Sequence, residues 1–191
     1  MHTTRTSLLI QIKDRQNRTA WNDFIGLYRP IMIGYARTAG LGRDEAEDVA
    51  QFGLQKVTEH IERFEYDPKR GGFKKWLRTI INNRVRQKLR RKPVYQASTD
   101  CLIRQVGEQT PDEIWDQMWL EQHLRYCLEI VQEQVELRTY KAFCAVALEE
   151  RDPKEVSEEV GLSVNQIYVA RSRVTKKLRT IMSELFPDEF E

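Results

Sequence analysis

The residues best placed to do chemistry in this chain lie between positions 69 and 92, where eleven Lys or Arg occur without one Asp or Glu. The whole chain of 191 residues is nearly balanced at net +2, so this run is a local asymmetry. Phe73, Trp76, Leu77, Ile80, Ile81, Val85 and Leu89 recur through it at three- and four-residue steps, the spacing of one buried helical face. Lys75, Arg78, Asn82 and Arg86 fall on the opposite face, where cations and an amide suit phosphates and base edges. In front of them, Asp67-Pro68 and Gly71-Gly72 are turn signals. Phe64, Tyr66 and Phe73 set aromatic rings beside the cations, an arrangement that stacks unpaired bases. A solvated basic helix would account for the charge and leave the rings unemployed.

A second set begins at Ser163, which has the position of a helix N-cap. Asn165, Gln166, Tyr168 and Val169 follow in the first turns, then Arg171, Arg173, Lys176, Lys177 and Arg179. The beginning of such a helix can read bases while its later cations hold phosphate. A short helix from Pro153 and a turn at Gly161-Leu162 precede it. Val156, Val160, Leu162 and Ile167 stand where the two helices of a helix-turn-helix need apolar contacts.

A third set is acidic. Asp44, Glu47 and Asp48, with Gln51, Gln55, Glu59 and Glu62, lie outside an inner row of Ala46, Val49, Ala50, Gly53, Val57 and Ile61. Paired carboxylates can hold a divalent metal, but no third ligand set is visible. A solvated or protein-binding face, with no cation partner evident within the chain, explains the row more simply.

The elements that must position these sets are helices, because three-and-four periodicity dominates and strand signals are almost absent. The expected fold class is all-α. Helices are predicted over about 7–14, 19–39, 44–63, 111–133 and 137–149, besides the basic helix and the terminal pair. Pro30 should kink the second, and Gly40-Leu41-Gly42 should end it. Residues 93–110 read as a linker without sustained period. Residues 108–136 then hold eight acids against one Arg, a reversal that marks a new domain. The organisation expected is two small helical domains, 1–92 and 111–191, joined by that linker. Ile114, Met118, Leu120, Leu124, Cys127, Leu128 and Val131 should lie on or near the inner side of the helix after it, with Trp115 and Trp119 as core or linker-packing aromatics.

Forty per cent apolar and 31% charged residues fit a soluble globular chain. No apolar run approaches the roughly 20 residues that span a bilayer. The N-terminal apolar patch is too soon interrupted by charge for a signal peptide, so a cytoplasmic protein without membrane contact is expected. Cys101, Cys127 and Cys144 are odd in number and form no Cys-x-x-Cys pair, which argues against a disulfide framework or zinc site. His2, His60 and His123 form no ligand cluster. No metal, cofactor or catalytic residue is expected.

With these residues in view, the chain resembles the bacterial RNA polymerase sigma factors of the sigma-seventy family, in the small extracytoplasmic-function (ECF) class. Glu45-Ala46-Glu47-Asp48-Val49-Ala50-Gln51 is similar to the family's acidic motif, which binds the clamp coiled coil of the polymerase β′ subunit. Phe73 to Leu77, Ile80 to Asn83 and Arg90-Arg91 resemble the helix that recognises the promoter's minus-ten element. The C-terminal helix pair is similar to region four, which reads the minus-thirty-five element and touches the β flap. The resemblance implies polymerase contacts at Asp44, Glu47, Asp48, Gln51 and Gln55, and minus-ten contacts at Tyr66, Lys75, Arg78, Asn82, Asn83 and Arg86. It implies minus-thirty-five contacts at Ser163, Asn165, Gln166, Tyr168, Arg171, Arg173 and Lys176. The partners it implies are core polymerase and promoter DNA, duplex and melted, with an anti-sigma factor as a further partner it allows. Gln87 stands where the family often has Asp, the loop over 64–72 is longer than usual, and Ser157 replaces a customary Ala. Two rivals remain: a helix-turn-helix regulator that acts without polymerase, and a metal-dependent nuclease using Asp44, Glu47 and Asp48. The regulator leaves the acidic helix and aromatic loop unemployed, and the nuclease lacks a phosphate loop or histidine-carboxylate cluster.

Overall fold

The periodic stretches all fold as helices in a computed structural model of the chain, which describes residues 5–65, 72–91 and 110–186. In order they are α1 (Arg5–Gln11), α2 (Arg18–Thr38), α3 (Arg43–His60), α4 (Gly72–Arg90), α5 (Pro111–Gln134), α6 (Leu137–Phe143), α7 (Pro153–Val160) and α8 (Val164–Leu185). A 3-10 turn over Ile61–Arg63 extends α3, and a π turn over Cys144–Leu148 extends α6. No strand occurs among the described residues. The expected all-α class is therefore the observed one. Tyr66, Asp67-Pro68, Gly71, Cys101 and nearly all of the expected linker lie outside the described residues.

Contacts divide the chain into two compact units, residues 1–122 and 123–191. The division falls inside α5, so the first half of that helix packs with the N-terminal unit. There α2 contributes Phe24, Tyr28, Ile31, Met32 and Tyr35 to the core, α3 its row from Ala46 to Val57, and α4 Phe73, Leu77, Ile81 and Val85. Helix α2 continues as one helix through Pro30. It stops where expected, at Gly40 with φ +89°. The Leu41 N–H donates to the Ala36 carbonyl at 3.1 Å and the Gly40 N–H to that of Arg37 at 2.9 Å, the bond pair of a left-handed glycine cap.

Gly53 sets how closely α2 and α4 approach α3. A Cβ there would lie 2.5 Å from Met32 Sδ and 2.6 Å from Ile81 Cδ1, and both side chains are fully buried. Gly53→Val should therefore cost about 1–3 kcal/mol by overpacking. Chemical denaturation checks this, the midpoint falling with little change of slope.

Trp115 and Trp119 bury completely, as core aromatics. The Trp115 ring meets Tyr35 edge-on at 5.2 Å and Trp119 lies 5.3 Å from Tyr28. Rings of this size remove about 150–250 Å² each from water, and they are the main hold of the first half of α5. Leu120, expected on or near the inner side, is 50% exposed. It follows Trp119 by one residue, about 100° round the helix, and so leaves the buried stripe.

In the C-terminal unit, α5 continues its stripe through His123, Cys127, Ile130 and Val131. The Cys127 thiol is pushed up to about 12 by burial, which leaves it an inert core group. Ala142, Ala145, Val146, Val156, Ile167 and Ala170 form the core under α7 and α8, with Val160 and Leu162 packed on it. Gly161, at φ +66°, turns the chain between these helices. The Ser157 hydroxyl donates to the Leu162 carbonyl at 2.6 Å, so the serine braces the turn from inside α7.

Candidate nucleic-acid and protein-binding surfaces

The inner row of α3 is buried as its spacing requires, and this leaves Asp44, Asp48, Gln51 and Gln55 exposed and Glu47 half-buried. The acids do have partners within the chain. Glu47 pairs with Arg29 of α2, and Asp48 accepts from Lys88 Nζ of α4 at 2.6 Å. The expectation of an acidic row without internal cations is thereby corrected. Partners 18 and 40 residues away in sequence carry no local signal. The Lys88 hydrogen bond holds the Asp48 carboxyl below the usual aspartate range. A depressed carboxylate contributes stability above its unfolded pKa and loses it as pH falls through the folded one, so this bridge is intact at neutral pH. Gln55 donates to Glu59 at 2.8 Å.

Helix α4 carries its cations on two sides. Toward α3 lies an open groove of about 780 Å³ lined by Lys56, Asn83, Arg84, Arg86, Arg90 and Arg91, with Phe52 and Ile80 also in its wall. The Arg84 guanidinium stands 4.6 Å from the centre of the Phe52 ring, a cation–π contact that fixes it at the groove wall. Five cations beside an apolar wall suit a polyanion. On the other side, Arg78 and Asn82 meet α5 and α2. Arg78 pairs with Asp112 at 3.2 Å, and the Tyr35 hydroxyl donates to Asn82 Oδ1 at 3.2 Å. Burial raises the Tyr35 hydroxyl above its ordinary pKa, with Asp112 acting in the same direction against Arg86 and Arg78.

The basic face read from the sequence is thus divided. Asn83 and Arg86 reach the groove, Arg78 pairs with Asp112 of α5, Asn82 is held by Tyr35 of α2, and Lys75 is exposed. Phe73 cannot stack a base from its observed position, because it is fully buried among Phe24, Tyr28 and Phe64. Trp76 is half-buried, 5.2 Å from Phe64. Tyr66 lies outside the described residues. Phe52, Lys56 and Arg84 were missed as groove residues. Arg84 belonged to the basic run, but only the pairing of α3 with α4 brings the other two beside it.

In the C-terminal unit Ser163 caps α8 as expected. Its hydroxyl accepts the Gln166 N–H at 3.3 Å and Gln166 Oε1 accepts the Ser163 N–H at 2.8 Å, a reciprocal capping box. Asn165, Gln166, Tyr168, Arg171, Arg173 and Lys176 are all exposed. Tyr168, Arg171, Thr175, Lys176 and Arg179 line one shallow depression. Tyr168 is 52% exposed, so an aromatic ring lies flush with cations on that surface.

Among the described residues no three His, Cys, Asp or Glu side chains gather as a metal site would require. No described helix is long and apolar enough to cross a membrane. Residues 24–93 match the family model for sigma-70 region 2. No curated protein matches the chain at a significant level.

Proposed function

We propose, from the premise that a region 2 segment spanning α2 to α4 indicates a sigma-70 family sigma factor acting in RNA polymerase promoter recognition, that this chain is of the ECF class. The family is not one of enzymes. On this reading the exposed part of α3, around Asp44, Asp48, Gln51 and Gln55, docks on the β′ clamp. Helix α4 and the residues before it hold the minus-ten element as the duplex opens. Helices α7 and α8 form the helix-turn-helix that reads the minus-thirty-five element and meets the β flap. The domain allocation is 1–92 for the first task and 111–191 for the second, with the first half of α5, to Gln122, packed in the N-terminal compact unit, and the protein works in the cytoplasm beside the polymerase.

The observation that carries the reading is the coincidence, within the matched residues, of an acidic face on α3 with the cationic groove between α3 and α4. One face suits a protein and the other a nucleic acid. Melting needs no catalytic group, because capturing unstacked bases offsets the few kcal/mol, roughly, that unpairing costs at each position. Run-off transcription with core polymerase on a genomic fragment library tests the assignment and reveals the promoter together. Transcripts that start at shared sequence elements, only when the protein is added, are the expected outcome. Sequence-specific DNA binding without any stimulation of core polymerase would favour a free-standing regulator instead.

A further inference from the structure

Helix α5 begins with acids that sit on the cations of α4. Asp112 Oδ2 lies 3.2 Å from Arg78 Nη1, and one turn later Asp116 Oδ1 lies 3.0 Å from Lys74 Nζ. The two pairs run antiparallel, since the later acid meets the earlier cation. One turn beyond Arg78 the polar edge of α4 is occupied as well: Asn82 accepts from Tyr35, whose ring meets Trp115. Lys74 also lies 5.8 Å from the centre of the Trp119 ring. The side chains of Lys74 and Arg78 keep only 24% of their exposure, whereas Asp112 and Asp116 keep 62% and 54%. The cations are covered and the acids face water.

We propose that the first half of α5 is an autoinhibitory strap, in which Asp112 and Asp116 stand in for DNA phosphates on α4 and mask Arg78 and Lys74 until single-stranded DNA displaces them. This rests on the reading of α4 as a DNA-binding helix. The two tryptophans and the two acids have separate tasks. The buried rings dock the strap, and exposed ion pairs of this kind are weak and screened by salt. The acids decide what charge α4 offers to a polyanion. A strap docked by rings alone would leave two cations at its rim available; with Asp112 and Asp116 in place a phosphate must compete for them.

The test uses the full-length protein and a fluorescent single-stranded oligonucleotide at fixed moderate salt. Replacing both acids, Asp112→Asn with Asp116→Asn, should tighten binding roughly three- to tenfold, as expected for release of two half-exposed pairs, without lowering thermal stability appreciably. Glu121→Gln removes one negative charge from α5, half the change of the double variant, at an acid that hydrogen-bonds Gln117 of the same helix, and should change binding by less than about twofold. Adding Arg78→Ala to the double variant should remove the gain. If the double variant binds no more tightly while Arg78→Ala alone weakens binding, α4 is a DNA surface without a mask and the proposal is overturned. An equal gain from Glu121→Gln would overturn it too, by assigning the effect to net charge. Should Arg78→Ala change nothing in either background, the reading of α4 fails, and the mask fails with it.

Discussion

Reversing two charges on α3, Glu47→Lys with Asp48→Lys, will abolish binding to core polymerase and with it all promoter-directed transcription. A loss of roughly a hundredfold or more in affinity is expected where an interface depends on charged contacts. The structure complicates the experiment in a useful way. Lys at 47 would face Arg29 and Lys at 48 would face Lys88, so a critic could assign any loss to a disturbed helix packing. Adding Lys88→Glu to Asp48→Lys restores an opposite pair between α3 and α4 with the signs exchanged. That variant should keep wild-type thermal stability and still bind polymerase poorly, because the exposed member of the pair has become positive. Co-purification with core enzyme, with circular dichroism as the control for folding, separates the outcomes. Unchanged affinity in the first double variant would remove α3 from the polymerase interface.

The second large effect is expected at the start of α8. Alanine at Asn165 or Arg171 should relax the base preference of the upstream promoter element, since a paired contact to a base edge discriminates by about 1–3 kcal/mol. Alanine at Lys176, Lys177 or Arg179 should instead lower affinity for all promoters and flatten the salt dependence. Gln166 needs a subtler change, because its side-chain oxygen is already engaged by the Ser163 N–H. Gln166→Glu keeps an acceptor suited to that cap while removing the amide donor. Relaxed preference at one base pair, with the stability of α8 retained, is the expected result. Selection from a library randomised in the upstream element reads both sets at once. If the selected sequence survives all three base-directed changes, α8 does not read that element.

The helices were legible in the sequence because their apolar spacing is long and regular, and because Gly40 and Ser163 punctuate two of them with strong local signals. Pairings between helices were not legible. Nothing near Asp48 points to Lys88, and the apolar stripe of α4 was read too broadly. Trp76 and Ile80 lie at its margins, half-buried, while Phe73 lies at its centre. An aromatic residue beside a basic run looks alike whether it packs inward or faces a base, and only the register against α2 decides. The acids at the head of α5 were read as a change of domain. They lie instead in the same compact unit as α4, because Trp115 and Trp119 carry that end of the helix inward.

The capping box at Ser163 ties recognition to the ends of the backbone ladder. In the free protein the Ser163 and Gln166 amides both have acceptors in the box, so both should exchange slowly with solvent deuterium for residues at a helix start. If Gln166 turns its amide oxygen to a base pair, the Ser163 N–H loses its acceptor and the first turn of α8 loosens. Specific DNA would then protect most of α8 while making one amide at its head more labile, and non-specific DNA, held by the later cations, would leave that amide as it was. The helix start would register whether a sequence has been read or merely touched.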